Sequence, residues 1–170
     1  MSDTLKNLSS TRLLFRPFTA EDSELLYCLY SNPEVMEIRK IGTQDRAGSD
    51  TQLEIIVEHW QRRGFGLWAV FDRKTNNFMG ECGLREENDT GEEVELSYGL
   101  LPEFWGGGLA TEAAKTVLDY GTKELGLKTI CGFAQKKNAA SLHILTKFGF
   151  KHQYDFDDDG DVISKTVLEI

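Results

Sequence analysis

The chain has 170 residues, of which 40% are apolar and 28% charged, and 28 acidic against 19 basic side chains give a formal net charge of −9. A chain of this length buries about 70% of its unfolded surface, so one domain spanning 1–170 is expected, with a core that needs no disulfide or metal staple. The acidic balance argues against nucleic acid as a main partner, and the absence of a membrane-crossing run or signal-peptide pattern points to a soluble cytoplasmic protein.

In chain order, Arg12–Phe18 reads as a first strand ended by Pro17, and Thr19 with Asp22 forms a capping-box signature for a short helix whose face carries Leu25, Leu26, Leu29 and Tyr30. Ser31–Met36 reads as a loop. Ser49 with Gln52 forms a second capping box, Leu53, Ile56, Val57 and Trp60 make the buried stripe that follows, and Gly64 is the expected C-terminal cap. Phe65–Phe71 and Phe78–Leu84 are strands joined through Thr75-Asn76-Asn77, and after the polar turn Asn88-Asp89-Thr90-Gly91 comes the strand Val94–Leu100. A long helix with Ala110, Ala113, Ala114, Val117, Leu118, Gly121 and Leu125 at helical spacing stops at Gly126. A strand at 129–135 precedes a helix from Ala139 to Phe148, capped by Asn138 and ended by Gly149, and Phe150–Phe156 with Val162–Ile170 makes a terminal hairpin. This order predicts an α/β domain built on a mixed sheet. Cys28, Cys82 and Cys131, each inside an apolar segment, read as buried thiols in a reducing compartment.

The chemistry concentrates where the strand 94–100 meets the long helix, at Leu101-Pro102-Glu103-Phe104-Trp105-Gly106-Gly107-Gly108-Leu109-Ala110-Thr111. Three consecutive glycines let a ligand approach the main chain closely, and the first N–H groups of the new helix lack intrahelical partners at the positive end of its dipole. That is a site for a phosphate or pyrophosphate, with an ordinary tight turn as the alternative. No Lys follows the glycines as a P-loop requires, and from Gly106 the dinucleotide spacing fails at Thr111.

What remains, Gly-x-Gly-x-Ala after Pro-x-x-Trp, resembles the acetyl-CoA loop of the GCN5-related N-acetyltransferases, and most of all the branch containing the ribosomal-protein N-terminal acetyltransferases. Three further stretches resemble that branch in order: Ser10-Thr11-Arg12-Leu13-Leu14-Phe15-Arg16-Pro17, the hairpin Gly64–Val70 with Met79–Leu84, and Asn138-Ala139-Ala140-Ser141 with Phe148-Gly149-Phe150. The resemblance implies a mostly antiparallel sheet with two splayed strands, flanked by helices. It implies acetyl-CoA as cosubstrate, with no metal. Backbone amides of Trp105, Gly106, Gly107, Gly108, Leu109, Ala110 and Thr111 would hold the pyrophosphate, the pantetheine arm would lie between the strand ending at Leu100 and the strand at 129–135, and Asn138 and Ser141 would contact the cofactor. Gly107 departs from the pattern, since the family often carries Gln, Lys or Arg there.

Acetyl transfer to an amine needs a neutral amine, a polarised thioester carbonyl and a proton for the departing thiolate. Many family members supply that proton from a Tyr that this chain replaces with Leu145. Ser141 matches a serine given a thiolate-stabilising role in this branch, and helical spacing puts it on the face of Ile144, Leu145 and Phe148. A first-turn serine that merely helps the helix start is the alternative. Glu95 is the candidate base, through a water, since period-2 alternation puts Glu93, Glu95 and Ser97 opposite Val94, Leu96, Tyr98 and Leu100. A solvated acidic face is the alternative there. Backbone N–H groups near Leu100 would polarise the carbonyl.

The expected activity is therefore acetyl transfer to a primary amine, a protein N-terminal α-amine or a small-molecule amine, by direct attack in a ternary complex. The other class still open is a catalytically silent CoA-binding module, suggested by Leu145 and Gly107. Neither nucleic acid nor membrane is expected as partner, and a monomer or homodimer fits. Asp155-x-Asp157-x-Asp159-Gly160 imitates an EF-hand start, but its twelfth position is Thr166 and strands flank it, so a hairpin turn is expected. His59, His143 and His152 share no metal-like spacing, and Trp60, Trp68 and Trp105 read as core, with Trp105 also shaping the loop.

Overall fold

Strand-length apolar runs separated by helical ones assemble, in a computed structural model that describes residues 6–86 and 93–170, into one eight-stranded mixed sheet flanked by helices. The strands are β1 (Leu8–Ser9), β2 (Leu13–Pro17), β3 (Leu67–Asp72), β4 (Phe78–Glu86), β5 (Val94–Leu100), β6 (Thr129–Gln135), β7 (Lys151–Asp158) and β8 (Asp161–Glu169). The helices are α1 (Ser23–Tyr30), α2 (Pro33–Met36), α3 (Arg46–Arg63), α4 (Leu109–Lys123) and α5 (Ala139–Lys147), with a 3₁₀ turn at Pro102–Phe104. The sheet order is β1-β2-β3-β4-β5-β6-β8-β7, and every neighbouring pair is antiparallel except β5 with β6.

Period-2 alternation sorts the side chains into two cores. Trp68, Val70, Cys82, Leu84, Leu96 and Leu100 meet Ala113, Ala114 and Val117 of α4 on one face. Leu67 and Ala69 meet Leu26, Leu29, Met36 and Leu53 of α1–α3 on the other. Burying a Leu- or Phe-sized side chain contributes about 1.5–3 kcal/mol, so these two stripes fix which helix covers which face. Among the described residues no helix is long and apolar enough to cross a membrane.

Several local expectations shift. The helix after Asp45 starts at Arg46, not at Ser49: Asp45 Oδ1 accepts Gly48 N–H at 2.8 Å, and Ser49 N–H already donates to the Asp45 carbonyl inside the helix. Ser49 is instead fully buried, its hydroxyl without a partner among the described residues. Thr19 and Asp22 do interact, Thr19 N–H donating to Asp22 Oδ2 at 2.7 Å, but ahead of a helix that begins at Ser23, and Arg16 also grips the Asp22 carboxylate. Within the expected loop, Pro33–Met36 forms a helical turn whose cap is Asn32. Cys28 is exposed, on the side of α1 away from Leu26, Leu29 and Tyr30, whereas Cys82 and Cys131 are buried. The expected turn at Asn88–Gly91 lies outside the described residues. Gly64, Gly126 and Gly149 end their helices with positive φ, as expected, and the turn after Asp158 is a hairpin turn.

Gly80 is the glycine the sheet needs most. Its φ is +151°, and a Cβ there would stand 2.2 Å from the Gly99 carbonyl oxygen and 2.8 Å from the Leu100 Cα. Gly80→Ala is expected to cost about 2–4 kcal/mol, since main chain rather than a side-chain tip must move. Urea denaturation checks this; a midpoint equal to that of the parent would refute it.

Candidate active site

The glycine loop is open in the way its composition suggests. Gly106 and Gly108 take left-handed φ values of +85° and +78°, and a Cβ built on Gly106 or Gly107 meets no atom within 4 Å. Gly108 is the N-cap of α4 with no side-chain cap, so the first amides of the helix, from Leu109, Ala110 and Thr111 onward, carry no capping side chain. Arg12 and Ser10 approach from the β1–β2 side: Arg12 Nη1 donates to the Gly107 carbonyl at 2.9 Å, and Arg12 Nε and Ser10 Oγ donate to the Glu112 carboxylate. Partial burial would raise the Glu112 pKa, but these hydrogen bonds outweigh it and hold the carboxyl below its ordinary range. Trp105 is a correction. It is 51% exposed rather than core, and its indole Nε1 donates to the Leu100 carbonyl at 2.8 Å, folding the loop back onto the end of β5.

Beside that loop the sheet parts. β5 and β6 pair only where Glu95 stands opposite Cys131. Leu101 N–H donates to the Met79 carbonyl, which makes Gly80 and Leu100 a non-hydrogen-bonded pair. The main-chain groups of Leu100 and, two residues back, of Tyr98 therefore face β6, where no ladder continues. With the Leu100 carbonyl taken by Trp105, its N–H is the group left facing the gap.

Ser141 and Asn138 bound the gap from α5. Asn138 Oδ1 accepts Ser141 N–H at 3.2 Å and caps the helix. Ser141 Oγ lies 2.8 Å from the Tyr98 hydroxyl, which also donates to the Ser141 carbonyl at 3.3 Å. Burial pushes the Tyr98 phenol up to about 12, only partly offset by the Ser141 hydrogen bond, so it holds its proton at neutral pH. Leu145 is packed in the core, close enough to fill the space over Gly132.

The gap continues into a cleft of about 430 Å³ lined by residues of the α2–α3 segment, α3, β5, β6 and α5. Glu95 lines it, as expected, yet it is not a free acidic face: Arg85, its direct cross-strand neighbour, reaches Glu95 Oε2 at 3.3 Å, and Glu95 is only 9% exposed. Deeper on the same face Arg39 pairs with the fully buried Glu81 at 2.6 Å, and Arg39 Nη2 donates to Ser97 Oγ at 3.2 Å. His59 also lines the cleft, but both its nitrogens serve the main chain, Nδ1 with the Phe65 carbonyl and Nε2 with Glu86 N–H, and burial lowers its pKa. That leaves it no lone pair for proton transfer.

A family model described as an acetyltransferase (GNAT) domain matches residues 12–151. The chain belongs to the GNAT acetyltransferase family. As a GNAT protein it is an N-acetyltransferase, and acetyl-CoA is the cosubstrate of the family. One relative, the uncharacterized N-acetyltransferase YoaA of Bacillus subtilis, is 29% identical over 150 residues, covering 86% of this chain and 83% of its own. Two solved GNAT structures share the fold at low identity. An acetyltransferase of Salmonella typhimurium that modifies the N-terminal serine of ribosomal protein L7/L12 superposes with a TM-score of 0.82 at 13% identity, covering 97% and 99% of the two chains. A spermidine N-acetyltransferase of Vibrio cholerae, solved with CoA and spermine, gives 0.79 at 20% identity over 94% and 96%. The GNAT pattern contains Arg12 without giving it a role, and does not bring forward Tyr98 or Arg85 as parts of the site. Tyr98 has the spacing of a core residue, and only the folded chain discloses that its hydroxyl reaches α5.

Proposed function

We propose that this enzyme moves the acetyl group of acetyl-CoA to a primary amine, a protein N-terminal α-amine ahead of a polyamine, by direct attack in a ternary complex. The observation that carries the proposal is the parting of β5 from β6 beyond Glu95 and Cys131, beside which Glu95, Tyr98, Asn138 and Ser141 line one cleft, while the Leu100 N–H and the bare glycine loop follow at the end of β5. The loop's fit to a pyrophosphate rests on uncapped amides and on glycines that leave open space. Amides from Trp105 to Thr111 would bind there, and Asn138 and Ser141 would bound the pantetheine arm.

The reaction balances with the residues at hand. The acceptor nitrogen bonds to the acetyl carbon, the carbon–sulfur bond breaks, the Leu100 N–H polarises the carbonyl, Glu95 takes the N–H proton directly or through a water, and Tyr98 with Ser141 supplies a proton to the thiolate. Glu95 Oε1 accepts no hydrogen bond among the described residues, so the carboxylate can accept this proton while Arg85 holds Oε2. A carboxylate shared with an arginine suits an amine that gives up its proton easily. Neutralising a lysine amine at pH 7 costs about 4–5 kcal/mol, an α-amine only about 1. The family includes both kinds of acceptor, the L7/L12 N-terminal serine of the Salmonella protein and the spermidine of the Vibrio one.

The test is release of thiol from acetyl-CoA with a panel of peptides, amino acids and polyamines. Acceleration by free peptide N-termini is expected; acetyl-CoA binding without release by any amine would reduce the protein to a CoA-binding module. Glu95→Gln should lower kcat/KM about 10- to 100-fold with the best acceptor. An unchanged rate would remove Glu95 from the mechanism.

A further inference from the structure

The glycine loop is held from outside by a residue about a hundred positions earlier. Arg12, entering β2, uses its guanidinium as a fork: Nη1 to the Gly107 carbonyl at 2.9 Å and Nε to Glu112 Oε1 at 2.8 Å. Its own N–H and the Ser10 hydroxyl hold the other Glu112 oxygen at 2.9 and 2.6 Å. A trans peptide points its C=O and the following N–H in opposite directions, and no peptide bond among the described residues is cis. Turning the Gly107 carbonyl toward Arg12 therefore turns the Gly108 N–H away from it, to the open side of the loop. Gly107 and Gly108 could otherwise rotate freely, because neither carries a Cβ and nothing crowds Gly107.

Glu112 gives the fork a second consequence. It sits in the first turn of α4, where a carboxylate gains from the helix dipole but would repel an anion bound at the same end. Fastened to Arg12 and Ser10, its charge is compensated and drawn to the β1–β2 side.

We propose that Arg12 is a positioning residue for the cofactor's pyrophosphate: it sets the 107–108 peptide plane and neutralises Glu112, so that the loop binds an anion without a basic side chain at position 107. The proposal rests on the loop's being the pyrophosphate site. It acts through the loop and not through contact with the reacting atoms, so it predicts a defect confined to the phosphate-bearing part of the cosubstrate. The Arg12 side chain is half-exposed, and in its absence Glu112 keeps hydrogen bonds from the Ser10 hydroxyl and the main-chain N–H of residue 12.

The experiment compares wild type, Arg12→Ala and Arg12→Lys with two acetyl donors, acetyl-CoA and S-acetyl-pantetheine, which lacks the phosphates, alongside calorimetric binding of CoA. Arg12→Ala should raise the KM for acetyl-CoA and weaken CoA binding about tenfold or more, with kcat at saturation within about twofold. Its rate with S-acetyl-pantetheine should match the wild type. Arg12→Lys, one ammonium in place of a planar fork, should recover only part of the affinity, since it cannot serve Gly107 and Glu112 in the same geometry. Equal CoA affinity in wild type and Arg12→Ala overturns the proposal, as does an equal loss with both donors, which would mark a general disturbance of the fold. Failure of the wild type itself to bind CoA would overturn the loop assignment, a result distinct from either.

Discussion

Tyr98→Phe should lower kcat about 10- to 100-fold while leaving the KM for acetyl-CoA nearly unchanged. Phenylalanine keeps the ring that packs between β5 and α5 and removes only the hydroxyl 2.8 Å from Ser141 Oγ. Ser141→Ala should produce a loss of similar size. The double variant should be little worse than either single one if the two hydroxyls deliver one proton in relay, because groups acting as a unit are non-additive. Two independent, multiplying losses would instead separate their roles. The pH dependence has a definite sign. Burial raises the Tyr98 pKa from its ordinary 10 to about 12, so the proton stays in place throughout the neutral and mildly alkaline range. A high-pH loss of rate below about pH 10 must then come from another group, and Tyr98→Phe should leave that limb where it is. The same shift links to stability: the unfolded chain releases this proton first, so Tyr98's contribution is complete below pH 10 and is lost as the pH rises through about 12.

Glu81→Ala should be the most destabilising single charge deletion in the protein, at about 3–5 kcal/mol. Glu81 is fully buried on β4 and accepts from the Tyr30 hydroxyl at 3.1 and 2.9 Å as well as from Arg39 at 2.6 Å. Without it Arg39 keeps its charge in a largely enclosed position, and the Tyr30 hydroxyl loses its acceptor. Glu81→Gln, which keeps the shape and one acceptor oxygen, should cost less. Urea denaturation with an unchanged m-value measures both, and a loss below about 1 kcal/mol for Glu81→Ala would show that Arg39 finds other compensation. The network also explains an otherwise bare position on β5. A Cβ on Gly99 would stand 2.8 Å from Arg39 Nη1, so glycine lets the guanidinium cross the strand to reach Glu81.

The fold was largely legible because its signals are local. Alternation in 94–100, the glycines that end helices at 64, 126 and 149, and Asn138 as a cap each act within a few residues. The open glycine loop was legible for the same reason. Where the reading from sequence failed, two local signals competed, as when Asp45 took the cap expected at Ser49, or a side chain's fate depended on a distant element. Trp105 has a core residue's chemistry but stands half exposed because its indole is needed by the Leu100 carbonyl. Glu95 was placed on the correct face, but Arg85, ten residues earlier, becomes its partner only through the β4–β5 register. Tyr98 and Ser141, 43 residues apart, meet only once β5, β6 and α5 are packed.

The single point of pairing between β5 and β6 divides the sheet into two antiparallel blocks, β1–β5 and β6-β8-β7, which behave as two sheets sharing one stitch. Each block therefore has a free edge in the middle of the molecule, where main-chain donors of Tyr98 and Leu100 stand without a strand to receive them. A free edge at the margin of a sheet invites another chain to add itself. Here α4 packs against β5 and α5 against β6, while Arg39 of the segment before α3 reaches Ser97 and Glu81. Under the proposed reading, a pantetheine arm, slender and carrying its own amides, would complete the interrupted ladder. On that reading, a feature that elsewhere threatens aggregation would serve recognition instead.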